Sequence, residues 1–437
     1  MVLNYLKSRF EKMQQRPREI ISAPLVVAGA GPAGCAAAIA AARLGVEVWL
    51  IERYGFPGGM ATAGLIHPWM SYYAGERPII GGIFAEVVER LRAQGAFLDS
   101  SHFNQRHHCF DPEALKLVLQ EMLLEAGVKL LLHSFIAGAE ARHGRVDLLR
   151  LASKSGLEEI RPQMVIDATG DGDVAAWAGA EYEKGRPEDG LMQPMSLHFR
   201  MAGVDAARLP SREAINEIYI RAKAAGEIDC PRENLLWFDT TVPDQIHFNT
   251  TRVTHVDGTS REDLTLAEIE SRRQTKQLVE FIVRAVPGFE KAYLLETAPQ
   301  VGVRETRRIM GEYVFTAEDV LAGRKFADGI ALGSYPIDVH NPAGSGTEIK
   351  YLEPGEFYAI PYRCLAPRKL NGLLVAGRPI SATHEAHAAI RVQVICYALG
   401  QAAGVAGALA LQESIEPREV NIAQLQGILR SQGAILE

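Results

Sequence analysis

Cysteine is scarce: five in 437 residues, with no pair in C-x-x-C spacing. Cys35, Cys109, Cys230, Cys364 and Cys396 are odd in number and far apart. That argues against a disulfide framework, a zinc site or a dithiol redox pair, and no metal is expected. They read instead as buried, reduced thiols of a cytoplasmic protein. A long basic stripe is also missing, and the formal charge is -7, so nucleic acid is not an expected partner. The first 21 residues carry Lys7, Arg9, Lys12, Arg16 and Arg18 but no apolar stretch of a secretory signal. An amphipathic lead-in helix is expected there, with Leu3, Leu6 and Phe10 on one face. One run, Val392 to Leu411, has the length of a membrane span. It is rich in Ala and Gly, broken by Gln393 and Gln401, and carries Gly400 and Gly404 in G-x-x-x-G spacing. We read it as a buried helix of a soluble chain with no transmembrane segment.

Glycine is plentiful, at 40 residues, and its placement is informative. Leu25 to Ala28 is a short apolar run of the kind that forms a fully buried parallel strand. Gly29, Gly31 and Gly34 follow as G-x-G-x-x-G, with Pro32 and Ala33 between them. An Ala-rich helix then runs to about Leu44, and a second strand from Val46 to Ile51 ends at Glu52. In this context Gly29 permits the strand-to-helix turn, Gly31 leaves room for a pyrophosphate, and Gly34 lets helix and strand pack closely. The helix start offers unpaired N–H groups to phosphate, and Glu52 can accept from ribose hydroxyls. The Gly-rich stretch from Arg53 through Gly58, Gly59, Met60 and Thr62 follows at once, where a nicotinamide-binding unit would begin a crossover helix. That suits a longer cofactor laid across the protein, and FAD better than NAD. No second G-x-G-x-x-G occurs.

At this length two or more domains are expected. Asp111-Pro112-Glu113 opens a helix with Asp111 as N-cap. Val128 to His133 reads as a strand, and segments broken at Gly138, Gly144 and Gly156 read as an antiparallel meander. Met164 to Asp167 reads as a strand before a polar turn. From Leu191 to Pro361 the pattern changes, with expected strands at 195–201 and 245–250 and a helix from Leu266 to Val286. Leu373 to Ala376 restores the buried-strand-then-Gly pattern. The expected fold is therefore α/β: a Rossmann-like three-layer FAD/NAD(P)-binding domain carrying an inserted α+β substrate domain. The boundaries read as an N-terminal extension (1–22), the first part of the nucleotide domain (23–190), the inserted domain (191–365), and the last part with the C-terminal helix (366–437).

The motifs G-A-G-P-A-G (29–34), G-G-M-A-T-A-G (58–64), V-I-D-A-T-G-D-G-D (165–173), G-V-R-E-T-R-R-I (302–309), L-L-V-A-G-R-P-I-S-A-T-H-E-A-H (373–387) and A-L-G-Q-A-A-G (398–404) resemble those of FAD-dependent oxidoreductases with a glutathione-reductase-type flavin fold. The resemblance implies that Gly29, Gly31, Gly34 and Glu52 hold the ADP moiety, and that Gly58, Gly59 and Thr62 run beside the pyrophosphate and ring system. It implies that the backbone near Ile136 meets the adenine while Thr169 and Gly170 close over it. Gly377 and Arg378 stand where many relatives carry Gly-Asp. Arginine cannot accept a hydrogen bond, so phosphate contact is the expected substitute. Arg391 and Val392, at the start of the last long helix, would stabilise negative charge on reduced flavin.

For the chemistry, His384 and His387 enter that helix, where a histidine would accept a substrate proton or simply hold the loop. Arg304, with Arg307 and Arg308, would bind a substrate carboxylate or pair with neighbours. His340 is a further loop candidate. The expected activity is hydride transfer between a small organic substrate and noncovalently bound FAD. A flavin monooxygenase and a non-catalytic flavin-binding scaffold are the alternatives. The second redox partner and the oligomeric state are not readable.

Overall fold

A computed structural model describes residues 20–70, 72–100 and 107–437. The expected helix at Leu3, Leu6 and Phe10 lies outside the described residues. The chain begins with β1 (Ile21–Ala28), α1 (Pro32–Arg43) and β2 (Val48–Ile51), followed later by α2 (Pro112–Glu125), β3 (Lys129–Leu131), β4 (Phe135–Arg142), β5 (Arg145–Ser153) and β6 (Gly156–Asp167). A second group comprises β7 (Phe199–Ala202), α3 (Arg212–Ala224), β8 (Trp237–Asp239), β9 (Ile246–Phe248), α4 (Arg261–Ala285) and β10 (Tyr293–Thr297). After it come β11 (Ile337–His340), β12 (Thr347–Lys350), β13 (Leu373–Val375), α5 (His384–Ile390) and α6 (Gln393–Glu413).

The main sheet runs β3-β2-β1-β6-β5-β4. Long β6 changes partner along its length. Gly156 to Ile160 pairs antiparallel with β5, whereas Val165 to Asp167 pairs parallel with β13. A parallel sheet and a meander thus share one strand. Leu25 to Ala28 of β1 and the end of β6 lie in the middle with apolar side chains buried, which is why they read as continuous hydrophobic runs. The expected helix after Asp111 forms as α2, and the Asp111 carboxylate accepts from Glu113 N (2.7 Å) and Ala114 N (3.1 Å). Such a cap contributes about 1 kcal/mol. α4 starts five residues before the expected Leu266, because the Ser260 hydroxyl accepts from Asp263 N (3.2 Å) and caps it there.

The run at 392–411 is the buried helix α6, and 89% of its most apolar window lies inside the protein. Gly400 and Gly404 face α1. A Cβ on Gly400 would come within 2.0 Å of Ala33 O, and one on Gly404 within 2.2 Å of Ala37 O. The two helices therefore touch backbone to backbone, which explains both the Ala-rich α1 and the G-x-x-x-G spacing.

The second group forms a four-stranded antiparallel sheet, β8-β9-β7-β10, under α3 and α4. Its apolar cluster, including Phe199, Tyr219, Phe248 and Phe281, is separate from the main core. Residues after it behave differently: Ile309, Phe315, Ile330 and Tyr358 pack into the main core. The expected strand at 195–201 is reduced to Phe199–Ala202, with Met195 held by an isolated bridge to Val253.

Candidate functional site

Local geometry makes a cradle at the amino end of α1. Gly29 has φ +92, and a Cβ there would lie 2.7 Å from Ala168 O. A Cβ on Gly34 would meet Gly29 O at 1.8 Å, so helix and turn are in direct contact. Gly31 is different: among the described residues, its chain neighbours aside, none comes nearer to its Cβ position than Gly59 Cα at 3.8 Å. α1 opens with Pro32 in its first turn and no side-chain cap, leaving its first amides for an anion. The buried Glu52 carboxylate accepts from Ala30 N (2.7 Å) and Tyr54 N (2.9 Å), which ties the end of β2 to this turn. Burial holds it above the usual carboxylate range, against the pull of those amides and of Arg53. The second Gly-rich loop docks on the first through Gly58 N to Ala30 O (2.7 Å). Thr62 is fully buried and donates its hydroxyl to Pro57 O (2.9 Å), so it fixes the loop from behind.

These elements line one end of a cavity of about 1230 Å³, larger than the ~300–1,000 Å³ of ordinary small-ligand sites. Of the sequence-derived cofactor positions, Gly29, Gly31, Pro32, Ala33, Glu52, Arg53, Gly59, Met60, Thr169, Gly170, Gly377, Arg378, Arg391 and Val392 line it. Gly34, Gly58 and Thr62 stand behind these as supports. Near Ile136, whose backbone is expected beside the adenine, the Ile136 side chain turns into the core and that of Phe135 lines the cavity, because side chains alternate along β4. Arg378 is not a free cation, since Nη2 lies 2.6 Å from Asp171 Oδ1; its buried Nη1 has no partner among the described residues. Asp167 carries a role that residue types alone did not reveal. Fully buried, it accepts from Thr169 N (3.1 Å), Thr169 Oγ1 (2.7 Å) and Ala175 N (2.8 Å), shaping the 168–173 turn.

Further along, the cavity is walled by the start of α6, by β11 and by the second sheet. Gln393 opens α6, where it accepts from Trp69 Nε1 (2.7 Å) and donates to Ile66 O (3.0 Å). Arg304 lines this part and donates Nη1 to Pro194 O (2.7 Å) and Ser196 Oγ (2.8 Å). Burial, then the charges of Arg391, Arg232 and Arg252, pull its guanidinium well below the ordinary arginine range. His340 lines it too, but both ring nitrogens are engaged. Nδ1 lies 3.2 Å from Arg252 Nη2, which only donates, so the ring proton belongs on Nε2, 3.5 Å from Asp338 Oδ2. Burial and Arg304 lower the His340 pKa to about 3, so the ring is neutral. Against the cost of burial, the His340 ring, Arg391 and the Tyr335 hydroxyl keep Asp338 ionised.

His384 and His387 do not line the cavity. His384 Nδ1 is 2.9 Å from Glu305 Oε1, and Glu305 pairs with the buried Arg308 at 2.5 Å. His387 is fully buried; burial and the charges of Arg308, Arg391 and Arg378 hold it neutral. Of the two readings of these histidines, substrate contact and support of the loop, the geometry favours support for His384, which holds Glu305. His387 is buried on the same helix α5, and neither of its ring nitrogens has a hydrogen-bond partner among the described residues. Among the three arginines near residue 304, Arg308 is likewise structural. Arg307 pairs with Asp173 at 2.8 Å on the cavity wall near the 168–173 turn.

The model of the family described as FAD dependent oxidoreductase matches residues 24–429. The chain belongs to this family. It is an enzyme, and FAD is its cofactor. A search of curated proteins by sequence finds no match. Among solved structures, a geranylgeranyl bacteriochlorophyll reductase-like protein from Thermoplasma acidophilum is 14% identical, with a TM-score of 0.46 over 95% of this chain and 84% of that one. The p-nitrophenol 4-monooxygenase of Pseudomonas putida DLL-E4 is 12% identical, with a TM-score of 0.44 over 94% and 84% of the two chains. The anhydrotetracycline hydroxylase of Streptomyces rimosus is 12% identical, with a TM-score of 0.43 over 94% and 69%.

The residues present fit the family's cofactor: open helix amides and a side-chain-sized gap at Gly31, a carboxylate at the end of β2, and a cavity long enough to continue to α6. Burial raises the pKa of all five cysteine thiols, with Cys109 and Cys396 pushed up to about 12. None is therefore a thiolate nucleophile beside the flavin. Sequence reading missed Arg232, Asn249, His198, Tyr335 and Asp338 in the inner cavity wall. Tyr335 and Asp338 share one segment, but it meets His198, Arg232 and Asn249 from distant parts of the chain, and no spacing marks those as neighbours.

Proposed function

We propose that this flavoenzyme transfers a hydride between a small organic substrate and noncovalently bound FAD. The observation that carries this reading is the continuity of one cavity from the amino end of α1 to the buried polar wall beside α6. When bound, FAD supplies the hydride chemistry. The chain supplies the rest. The α1 amides take the pyrophosphate and Glu52 takes the ribose. Arg391 and the uncapped start of α6 put positive charge where electrons arrive on the ring system. His340, neutral and occupied at both nitrogens, positions arginines rather than accepting a proton.

Residues 23–190 and 366–437 form the FAD-binding part in this reading, and 191–365 the substrate part, with 309–365 packed against the FAD side. The buried thiols suit the reducing cytoplasm, where we place the enzyme.

The test is direct. The purified protein is expected to be yellow, to release FAD on denaturation, and to bleach without oxygen when the right substrate is added. A colourless protein that takes up no FAD sinks the cofactor assignment. Incorporation of an oxygen atom into the substrate by the reduced enzyme replaces hydride transfer with oxygenation.

A further inference from the structure

The hydride-transfer reading leaves a group of cations unused. Arg232 and Arg304 line the inner cavity, and Arg252 shares the His340 ring with Arg232. The three are 4%, 9% and 1% exposed respectively. Together with Arg391 they make four guanidinium groups, and among the described residues their ion-pair partners are two carboxylates, Glu233 and Asp338. Both carboxylates have other donors: Asp338 accepts from Tyr335 Oη (2.8 Å), and Glu233 from Gly346 N (3.2 Å) and Thr347 Oγ1 (3.1 Å). An excess of two positive charges therefore sits in a largely buried place, where an uncompensated cation is costly.

Counting donors shows where an anion would bind. Arg304 Nη1 and Arg252 Nη1 each donate to two protein oxygens at 2.7–3.1 Å. Among the described residues Arg304 Nη2, by contrast, reaches only Asn249 Oδ1 at 3.4 Å, and Arg232 Nη1 only His340 Nδ1 at 3.5 Å. Contacts at that length are weak, so both groups are poised for a better acceptor. Leu236 and Phe238 line the same part of the cavity and offer an apolar wall. We propose that the substrate is an organic acid whose carboxylate bridges Arg232 and Arg304, with its apolar body against Leu236 and Phe238. Two poorly satisfied donors match the two oxygens of a carboxylate. The cofactor's phosphates do not compete, since they belong at the amino end of α1. The proposal rests on the reading of this cavity as the active site.

Calorimetric titration of the purified holoprotein with benzoate and hexanoate, against benzamide, hexanamide and phenyl phosphate, tests it. At least one acid is expected to bind about tenfold or more tightly than its amide. Arg232→Gln should abolish that preference, and Arg232→Lys should keep part of it. If Arg232→Gln fails to fold, Arg232→Lys decides alone, because a lysine lacks the planar fork. Equal binding of acids and amides, no binding by any acid, stronger binding of phenyl phosphate than of benzoate, or an undiminished acid preference in the lysine variant would each overturn the proposal. Visible absorption of the same samples reports FAD content independently. An absent flavin refutes the flavoenzyme reading, whereas a lost acid preference with flavin in place refutes only the carboxylate site.

Discussion

Gly29 and Gly31 look alike in the sequence but differ in what an added methyl group would meet. At Gly29 it strikes Ala168 O in a backbone conformation that disfavours side chains, whereas at Gly31 it enters open cavity. Gly31→Ala is therefore expected to leave the unfolding free energy of the apoprotein within about 0.5 kcal/mol while weakening FAD binding at least tenfold. Denaturation of apoprotein and FAD titration check the two halves separately. His340 gives a second prediction. Its Cε1–H resonance, identified by its loss in His340→Asn, should not shift between about pH 5 and 8, where an ordinary histidine titrates. Asp173 gives a third. Burial, then the charges of Asp171 and Asp167, raise its pKa to about 6. A folded-state pKa above the unfolded one means that its contribution is favourable in acid and is lost as pH rises toward and through 6. Asp173→Asn should flatten the fall of stability with pH across that window, by no more than about 3 kcal/mol, as read by urea denaturation at several pH values. At this scale the sequence identifies His340 and Arg304 as cavity residues but not their states. Those depend on Asp338, two residues before His340, and on Arg232 and Arg252, which lie 108 and 88 residues away from it.

Helix α1 and helix α6 were readable as elements because each carries its own signal: glycines before one, and a long Ala- and Gly-rich apolar run after Arg391 in the other. Their contact was not readable, since G-x-x-x-G marks a close approach without naming the partner. Gly404→Leu should force a side chain into the Ala37 carbonyl and destabilise the protein by about 3 kcal/mol or more. FAD should be lost with it, as seen by denaturation and by the visible band. The early start of α4 has a similar lesson. The apolar stripe marks where a helix packs, whereas Ser260 marks where it begins, and only the cap fixes the end.

Taken whole, the cavity wall is assembled from distant parts of the chain: the turns at 29–33 and 58–60, the turn at 168–173, Gly377 and Arg378, and the start of α6. A cofactor spanning them should act as a staple. Stripping FAD is expected to lower stability by about 3–4 kcal/mol relative to protein with FAD at 100 to 1,000 times its Kd, and re-adding it should restore the melting temperature. The nucleotide end was legible because one stretch of about thirty residues contains it. The end beside α6 was legible only in part: Arg304 and His340 stood out, whereas Arg232 and Arg252 reach His340 from 108 and 88 residues away. The backbone contact between Gly400, Gly404 and α1 also bears on assembly. The two helices lie far apart in the chain, so the Ala-rich face of α1 stays uncovered until α6 has docked on it.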